Sequence, residues 1–241
     1  MPRDHEAQRL DRFLAAQLNI TRSEAKELIK KRLVTVNGST ARLFDMKIDP
    51  DKDIVSSEGR DITYRKYVYI MLNKPAGVVC ATKDELSPTV LSLIPPELRR
   101  KKLFPAGRLD KDTEGFVFIT DDGETAHKML SPKSHVPKLY YAELEHEAEE
   151  SYIDRFREGL VIDGGEKCLP AEIEICEDRK KVYITLHEGK YHQVKRMAEA
   201  VGNKVVFLKR IKIGGIALDE DLPLGKCREI LHKEIVNLYT K

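Results

Sequence analysis

The chain of 241 residues is 41% hydrophobic and 34% charged, which is ordinary for a soluble globular protein and allows one large domain, or a small domain with a medium one. No apolar run approaches the roughly 18 residues that span a membrane, and Met1–Glu6 lacks the apolar core of a signal peptide, so we expect a cytoplasmic protein. The net charge of +2 does not by itself indicate a nucleic-acid partner. The four cysteines and seven histidines form no common metal-binding pattern.

The N-terminal part of the chain predicts two short helices followed by a hairpin. Apolar residues at helical spacing indicate a first helix within residues 9–19. Thr21 and Glu24 fit a capping box that opens a second helix, which is expected to end near Arg32. Asn37-Gly38 is the strongest hairpin-turn dipeptide. The short strands expected here are Val34–Val36 and Ile54–Ser56.

The same segment carries a basic stripe and a specific sequence pattern. The stripe consists of Arg22, Lys26 and Lys30, which line one face of the second helix at spacings of four, together with Arg32 at its expected end. The pattern R-L-D-x-F-L … T-R-S-E-A-K-x-L-I … V-x-V-N-G, between Arg9 and Gly59, resembles the S4 RNA-binding domain. That resemblance implies that the stripe contacts RNA; a helix-hairpin module with incidental charge is the alternative. We expect an S4-like domain over residues 1–60 and a linker over 61–66.

A second, larger domain is expected over residues 67–241. Its strands and helices alternate irregularly and its neighbouring strands have short connections, which predicts an α+β fold with a mixed, mostly antiparallel sheet flanked by helices. The predicted strands are Tyr67–Leu72, Phe116–Thr120, Leu139–Leu144, Ala171–Cys176, Lys181–Leu186 and Val205–Ile213. The predicted helices are Gly123–Leu130, Glu149–Glu158 and His192–Val201.

The most specific motif surrounds a single carboxylate, Asp110, which lies between two glycines and just before a buried strand. A loop braced by a rigid strand is a common setting for catalytic groups, although a lone aspartate can equally cap a helix or hold a turn. The sequence G-R-L-D-K-D-T-E-G resembles the G-R-L-D-x-x-T-x-G motif of the RsuA/RluB/RluE/RluF-like RNA pseudouridine synthases. The resemblance implies that Asp110 is the catalytic carboxylate and that Arg108 engages phosphate and helps to hold the RNA open.

Two further motifs of that family are matched before and after this loop. N-K-P-A-G resembles the N-K-P-x-G element near the active site, so Lys74 is expected to contact the RNA backbone, unless it is only a solvated turn lysine. K-L-Y resembles the K-x-Y motif and implies that Tyr140 stacks on the target base. Tyr141 is the alternative, because neighbouring residues of a strand point to opposite faces.

The C-terminal motifs complete the resemblance. E-G-K-Y-H-Q-V-K-R-M resembles E-G-x-x-H-Q-V-(K/R)-R-M and implies that Lys195 pairs with Asp110. A nearby cation keeps a partly buried carboxylate ionised and oriented. Arg196 is expected to contact phosphate. The match to V-G-N … L-x-R-x-x-I-G-G-I implies that Leu208 packs against the target base, a residue otherwise read as core.

Taken together, the motifs imply an enzyme that isomerises a specific uridine of ribosomal RNA to pseudouridine, with no cofactor and no metal. The series most resembles the small-subunit (16S) type; the same chemistry on 23S RNA is the alternative. Ribosomal RNA, alone or in a pre-ribosomal particle, is the expected partner of a monomeric protein. A catalytically silent RNA-binding assembly factor, and a metal-dependent nuclease using Asp110, Asp112 and Glu114, are alternatives from other classes.

Overall fold

A computed structural model of the chain describes residues 7–131 and 134–240, so Met1–Glu6 lies outside the described residues. The chain divides into two compact units. The first comprises the described residues up to Tyr67 together with Arg99–Lys101, and the second comprises Val68–Leu98 and the residues from Lys102 onward. None of the helices in the described parts is long and apolar enough to cross a membrane.

The N-terminal unit contains two helices and short antiparallel strands. Helix α2 (Arg22–Lys30) starts with the expected capping box: Thr21 Oγ1 accepts from the Glu24 amide, and Glu24 accepts from the Thr21 amide. Asn37 and Gly38 both have positive φ, as a tight hairpin turn requires. The elements are α1 (Leu10–Gln17), α2 (Arg22–Lys30), β1 (Gln8–Arg9), β2 (Val34–Val36), β3 (Ser39–Thr40), β4 (Lys47–Ile48), β5 (Val55–Ser57) and β6 (Arg60–Asp61).

One small hydrophobic core holds this unit together. Phe13 and Ile29, from the two helices, are buried against Val34 and Val55 of the central strand pair β2–β5. Within the segment expected to be a linker, Ile62 and Tyr64 also pack against this core. Burial of the apolar helix face leaves its opposite, basic face in solvent, as the period of the helix dictates.

The second unit is built on a nine-stranded sheet in the order β13–β14–β10–β15–β9–β7–β17, with β16 beside β15 and β8 beside β9. Every pairing is antiparallel except β9 with β15. The strands are β7 (Tyr69–Lys74), β8 (Phe104–Ala106), β9 (Glu114–Thr120), β10 (Lys138–Leu144), β13 (Glu172–Ile175), β14 (Lys181–Leu186), β15 (Val205–Ile213), β16 (Ile216–Ala217) and β17 (Cys227–Glu229); β11 (Val161–Ile162) pairs with β12 (Glu166–Lys167) outside the sheet.

Both faces of this sheet are covered. Along β9, Val117 and Ile119 belong to one hydrophobic cluster and Phe116 and Phe118 to another, because successive strand residues point to opposite faces. The helices are α3 (Gly123–Leu130), α4 (Ser151–Glu158), α5 (Gln193–Ala200) and α6 (His232–Ile235); α4 and α5 contribute to the first cluster, α3 and α6 to the second. The predicted α+β class with a mostly antiparallel sheet is confirmed.

Candidate active site

Asp110 lies in the loop between β8 and β9, which several backbone contacts hold in place. Gly107 enters the loop with φ +88°, a conformation that favours glycine. The Thr113 amide donates to the Asp110 carbonyl at 3.2 Å, and the Gly77 amide donates to the Lys111 carbonyl at 2.7 Å. The loop that carries the carboxylate is therefore held by one hydrogen bond within the loop and by another to the turn that follows β7.

Lys74 also binds this loop, and the prediction that it contacts the RNA backbone is wrong. Its side chain is fully buried, and Nζ donates to the carbonyls of Thr113 at 2.6 Å, Pro75 at 3.1 Å and Lys111 at 3.2 Å. Burial lowers the pKa of the ammonium group. With its three donors used on loop carbonyls and its side chain out of solvent, Lys74 braces the Asp110 loop from within.

Helix α5 and the residue before it bring two basic groups to Asp110. Lys195 Nζ lies 3.1 Å from Asp110 Oδ2 and also donates to both oxygens of Asp112, at 2.7 and 2.9 Å. His192, at the helix N-cap, has Nε2 3.4 Å from Asp110 Oδ1. Burial alone would lower the pKa of Lys195, but its hydrogen bonds to Asp112 and Asp110 raise it overall. Lys195 is therefore a charged partner for Asp110, as its motif leads one to expect.

Asp110 lines a cavity of about 880 Å³ within the second unit. Tyr140 and Leu208, from the adjacent strands β10 and β15, line it, and Arg108 is exposed at its edge. Tyr141 points to the other face of the sheet, where its hydroxyl donates to Glu143, so the alternation of β10 favours Tyr140 for the cavity. A carboxylate and an apolar and aromatic lining thus meet in one concave site.

Arg196 does not reach this cavity. Its guanidinium pairs with Asp163, and Nη1 lies 3.2 Å from Glu166 Oε2 and donates to the Tyr191 carbonyl at 3.1 Å. Arg196 was expected to contact phosphate, and in the structure two carboxylates and two backbone carbonyls accept from its guanidinium. The residue anchors the segment before α5 to the β11–β12 turn.

Two buried cations were not identified as site residues from the sequence. Arg210 faces Tyr140 across the β10–β15 pair; its Nε donates to the Phe116 carbonyl at 2.8 Å and its Nη1 to the Tyr140 hydroxyl at 3.4 Å. Lys138 donates to the Val136 carbonyl, and burial together with Arg210 lowers its pKa to about 8. Alternation along β10 puts Lys138 on the Tyr140 face, a signal that could have found it. Arg210 is the fixed arginine of the matched motif L-x-R-x-x-I-G-G-I, in which Lys209 and Lys212 fall on variable positions, and this was the signal that could have found it.

The basic stripe of the N-terminal unit is exposed throughout. Arg22, Lys26 and Lys30 lie on the solvent face of α2, and Arg32 follows with a positive φ. Lys26 Nζ lies 4.6 Å from the ring centroid of Phe44 in a cation–π contact. These four side chains are accessible to a polyanion, as the sequence led us to expect of an RNA-binding face.

Comparison with known proteins identifies both units. The RNA pseudouridylate synthase family profile matches residues 68–200, and the S4 domain profile matches residues 8–54. The chain is 44% identical over 230 residues to the uncharacterized RNA pseudouridine synthase YtzG of Bacillus subtilis, covering 94% of this chain and 96% of that one. It is 42% identical over 233 residues to ribosomal small subunit pseudouridine synthase A of Escherichia coli, covering 95% and 99%.

A solved structure agrees with these sequence matches. A crystal structure of a pseudouridylate synthase, 41% identical in sequence, superimposes with a TM-score of 0.68 and covers 96% of this chain and 99% of that chain. The catalytic-family profile covers more than half of the chain, and the curated relatives match nearly all of it. These matches argue against the two alternatives of a silent assembly factor and a metal-dependent nuclease. The chain belongs to the RNA pseudouridine synthase family and carries an N-terminal S4 domain.

Proposed function

We propose that the enzyme isomerises a specific uridine of 16S ribosomal RNA, with Asp110 as the catalytic carboxylate. The observation that carries the assignment to Asp110 is its position: it is a cavity-lining carboxylate held by both Lys195 and His192. The 16S substrate is supported by relatives, such as that of Vibrio cholerae, which is named ribosomal small subunit pseudouridine synthase A and is 41% identical over 232 residues.

In this reaction the bond between ribose C1′ and uracil N1 breaks, a bond between C1′ and C5 forms, the C5 proton is lost, and N1 takes up a proton. Asp110 starts the exchange either by attacking the sugar or by promoting cleavage of the glycosidic bond; covalent catalysis by carboxylates has precedent. Lys195, whose Nζ lies 3.1 Å from Asp110 Oδ2, fixes the direction of the carboxylate. Because the reaction is an isomerisation, no redox group or energy source is required.

The target uridine has to leave its stack to reach Asp110, and unstacking costs a few kcal/mol. In the proposed complex Tyr140 stacks on the flipped base, and Leu208 packs against it, since both side chains line the cavity. Arg108, exposed at the edge, contacts a phosphate beside the flipped nucleotide. Arg22, Lys26, Lys30 and Arg32 of the S4 domain supply further phosphate contacts that offset the unstacking cost.

The substrate is 16S RNA, alone or within a pre-ribosomal particle, and the enzyme acts as a cytoplasmic monomer. To test the activity, we would incubate the protein with separate 16S and 23S transcripts carrying tritium at uridine C5 and measure the tritium released. Release from the 16S transcript alone is expected. Release from the 23S transcript alone would refute the 16S assignment while leaving the chemistry intact.

The Asp110→Asn variant keeps the shape of the side chain and is expected to abolish release. Asp112→Asn is the matched control, because Asp112 also contacts Lys195 but does not line the cavity. That control should keep activity within about tenfold of the wild type, a loss below about 1.4 kcal/mol. Undiminished release by Asp110→Asn would remove Asp110 from its proposed role.

A further inference from the structure

Tyr191 is a large aromatic side chain that remains in solvent beside the catalytic carboxylate. It is 75% exposed and lines the same cavity as Arg108 and Asp110. Its ring has no place in the hydrophobic clusters of the second unit. The roles assigned above to the cavity residues give Tyr191 no part in the reaction.

The ring is nevertheless held in a defined orientation. One face stacks on His192, with ring centroids 3.8 Å apart and an interplanar angle of 19°. His192 is in turn held 3.4 Å from Asp110. The Tyr191 carbonyl accepts from Arg196, which is anchored to Asp163. A side chain fixed in this way loses little conformational entropy when a ligand covers it, which favours binding.

We propose that Tyr191 is a stacking platform for the nucleobase next to the target uridine in the RNA strand. The inference rests on the proposed function in that it requires a flipped uridine in the cavity. When that nucleotide enters, its neighbour stays at the mouth, where the ring of Tyr191 is exposed. Every base has a π-face, so the platform accepts any of the four bases. Arg108, which has no hydrogen-bond or ion-pair partner within residues 7–131 and 134–240, is suited to the phosphate between the two nucleotides.

Substrate kinetics separate this role from a structural one. Tyr191→Ala is expected to raise KM for the modified transcript by about 5- to 150-fold, the effect of losing one base–aromatic stack, with kcat within about twofold of the wild type. Tyr191→Phe should retain wild-type KM, because it keeps the ring. Val206→Ala, at an exposed position of β15 outside the cavity, is the control and should change neither constant. An unchanged KM, or a loss confined to kcat, would overturn the proposal.

A binding signal that does not depend on catalysis completes the test. The chain contains no tryptophan, so Tyr191→Trp introduces a single tryptophan on the proposed platform, which can be excited selectively above the absorption of the tyrosines. In an Asp110→Asn background, 16S transcript should quench its fluorescence by stacking, whereas Val206→Trp in the same background should be unaffected. Quenching of the Tyr191→Trp fluorophore without isomerisation by the wild type would support the platform while the proposed function failed. Isomerisation with an unquenched signal would uphold the function and refute the platform.

Discussion

Gly115 is a position where the addition of a single methyl group should strongly destabilise the fold. It lies in the middle of the sheet, paired with Lys74 of β7 on one side and Arg210 of β15 on the other. A Cβ added there would lie 2.2 Å from the Arg210 carbonyl oxygen and 2.9 Å from the Arg210 nitrogen, and the residue has φ +99°. Both contacts are with backbone atoms of a strand that is also paired to β10, so no flexible side chain can move aside.

The Gly115→Ala variant should therefore lose about 2–6 kcal/mol of unfolding free energy, as the sum of about 1–3 for the strained φ and about 1–3 for overpacking. Urea unfolding followed by circular dichroism measures the change, and the melting temperature should fall by about 4 °C or more. Gly123→Ala is the control: nothing lies within 4 Å of its added Cβ, so stability should be unchanged or slightly higher. A Gly115→Ala protein within about 0.5 kcal/mol of the wild type would refute the reasoning.

Three further predictions concern the lysines and the basic stripe. Lys138 has a pKa of about 8, below its unfolded value of about 10.4, so the unfolded chain binds more protons between these pH values. Relative to Lys138→Met, the wild type should gain about 1 kcal/mol of stability per pH unit between about pH 8.5 and 9.5 in urea titrations. Lys74→Met should cost at least about 2 kcal/mol in the same assay, because three loop carbonyls lose a charged donor. The Arg22→Ala/Lys26→Ala double variant should reduce the slope of log affinity against log salt for RNA by about 1.4–1.8 in filter binding.

Each of these three predictions has an outcome that would contradict it, and control variants accompany the measurements. Lys83→Met, at an exposed loop position, should leave stability within about 0.5 kcal/mol, and an equally mild Lys74→Met would contradict the bracing role. A wild type and a Lys138→Met variant with parallel stability–pH curves would contradict the lowered pKa. Lys52→Ala, in the same unit but engaged with Asp49, should keep the RNA salt slope, and an unchanged slope in the double variant would remove the stripe from the RNA interface.

Elements with a long periodic pattern were predictable from the sequence. Gly123–Leu130 and Lys181–Leu186 have the predicted bounds, since their apolar residues repeat at the period of their own structure. Short strands were missed: Phe104–Ala106 contains a proline, which argues against a strand, and Cys227–Glu229 has only three residues. Their formation depends on partners that are distant in sequence.

The candidate site likewise has features that the sequence predicted and features that it did not. The approach of Lys195 to Asp110 followed from the family motifs, which carry information about contacts across the chain. The motifs did not reveal which cations already have partners: Lys74 binds loop carbonyls, and Arg196 binds carboxylates of the β11–β12 turn. Nor did they reveal Arg210 beneath Tyr140, because that contact exists only through the register of β10 against β15.

The strand order also bears on the synthesis of the protein on the ribosome. The N-terminal unit has all of its strands within Gln8–Asp61, so it can collapse soon after it emerges. In the second unit, β7 near the beginning pairs with β17 near the end, and the Asp110 loop gains its partner Lys195 only when α5 has been made. Such distant pairings are slow to form, and catalytic competence is therefore acquired late. With the RNA contacts proposed for the S4 domain, a nascent chain would be able to bind RNA through its first unit well before it could modify a base.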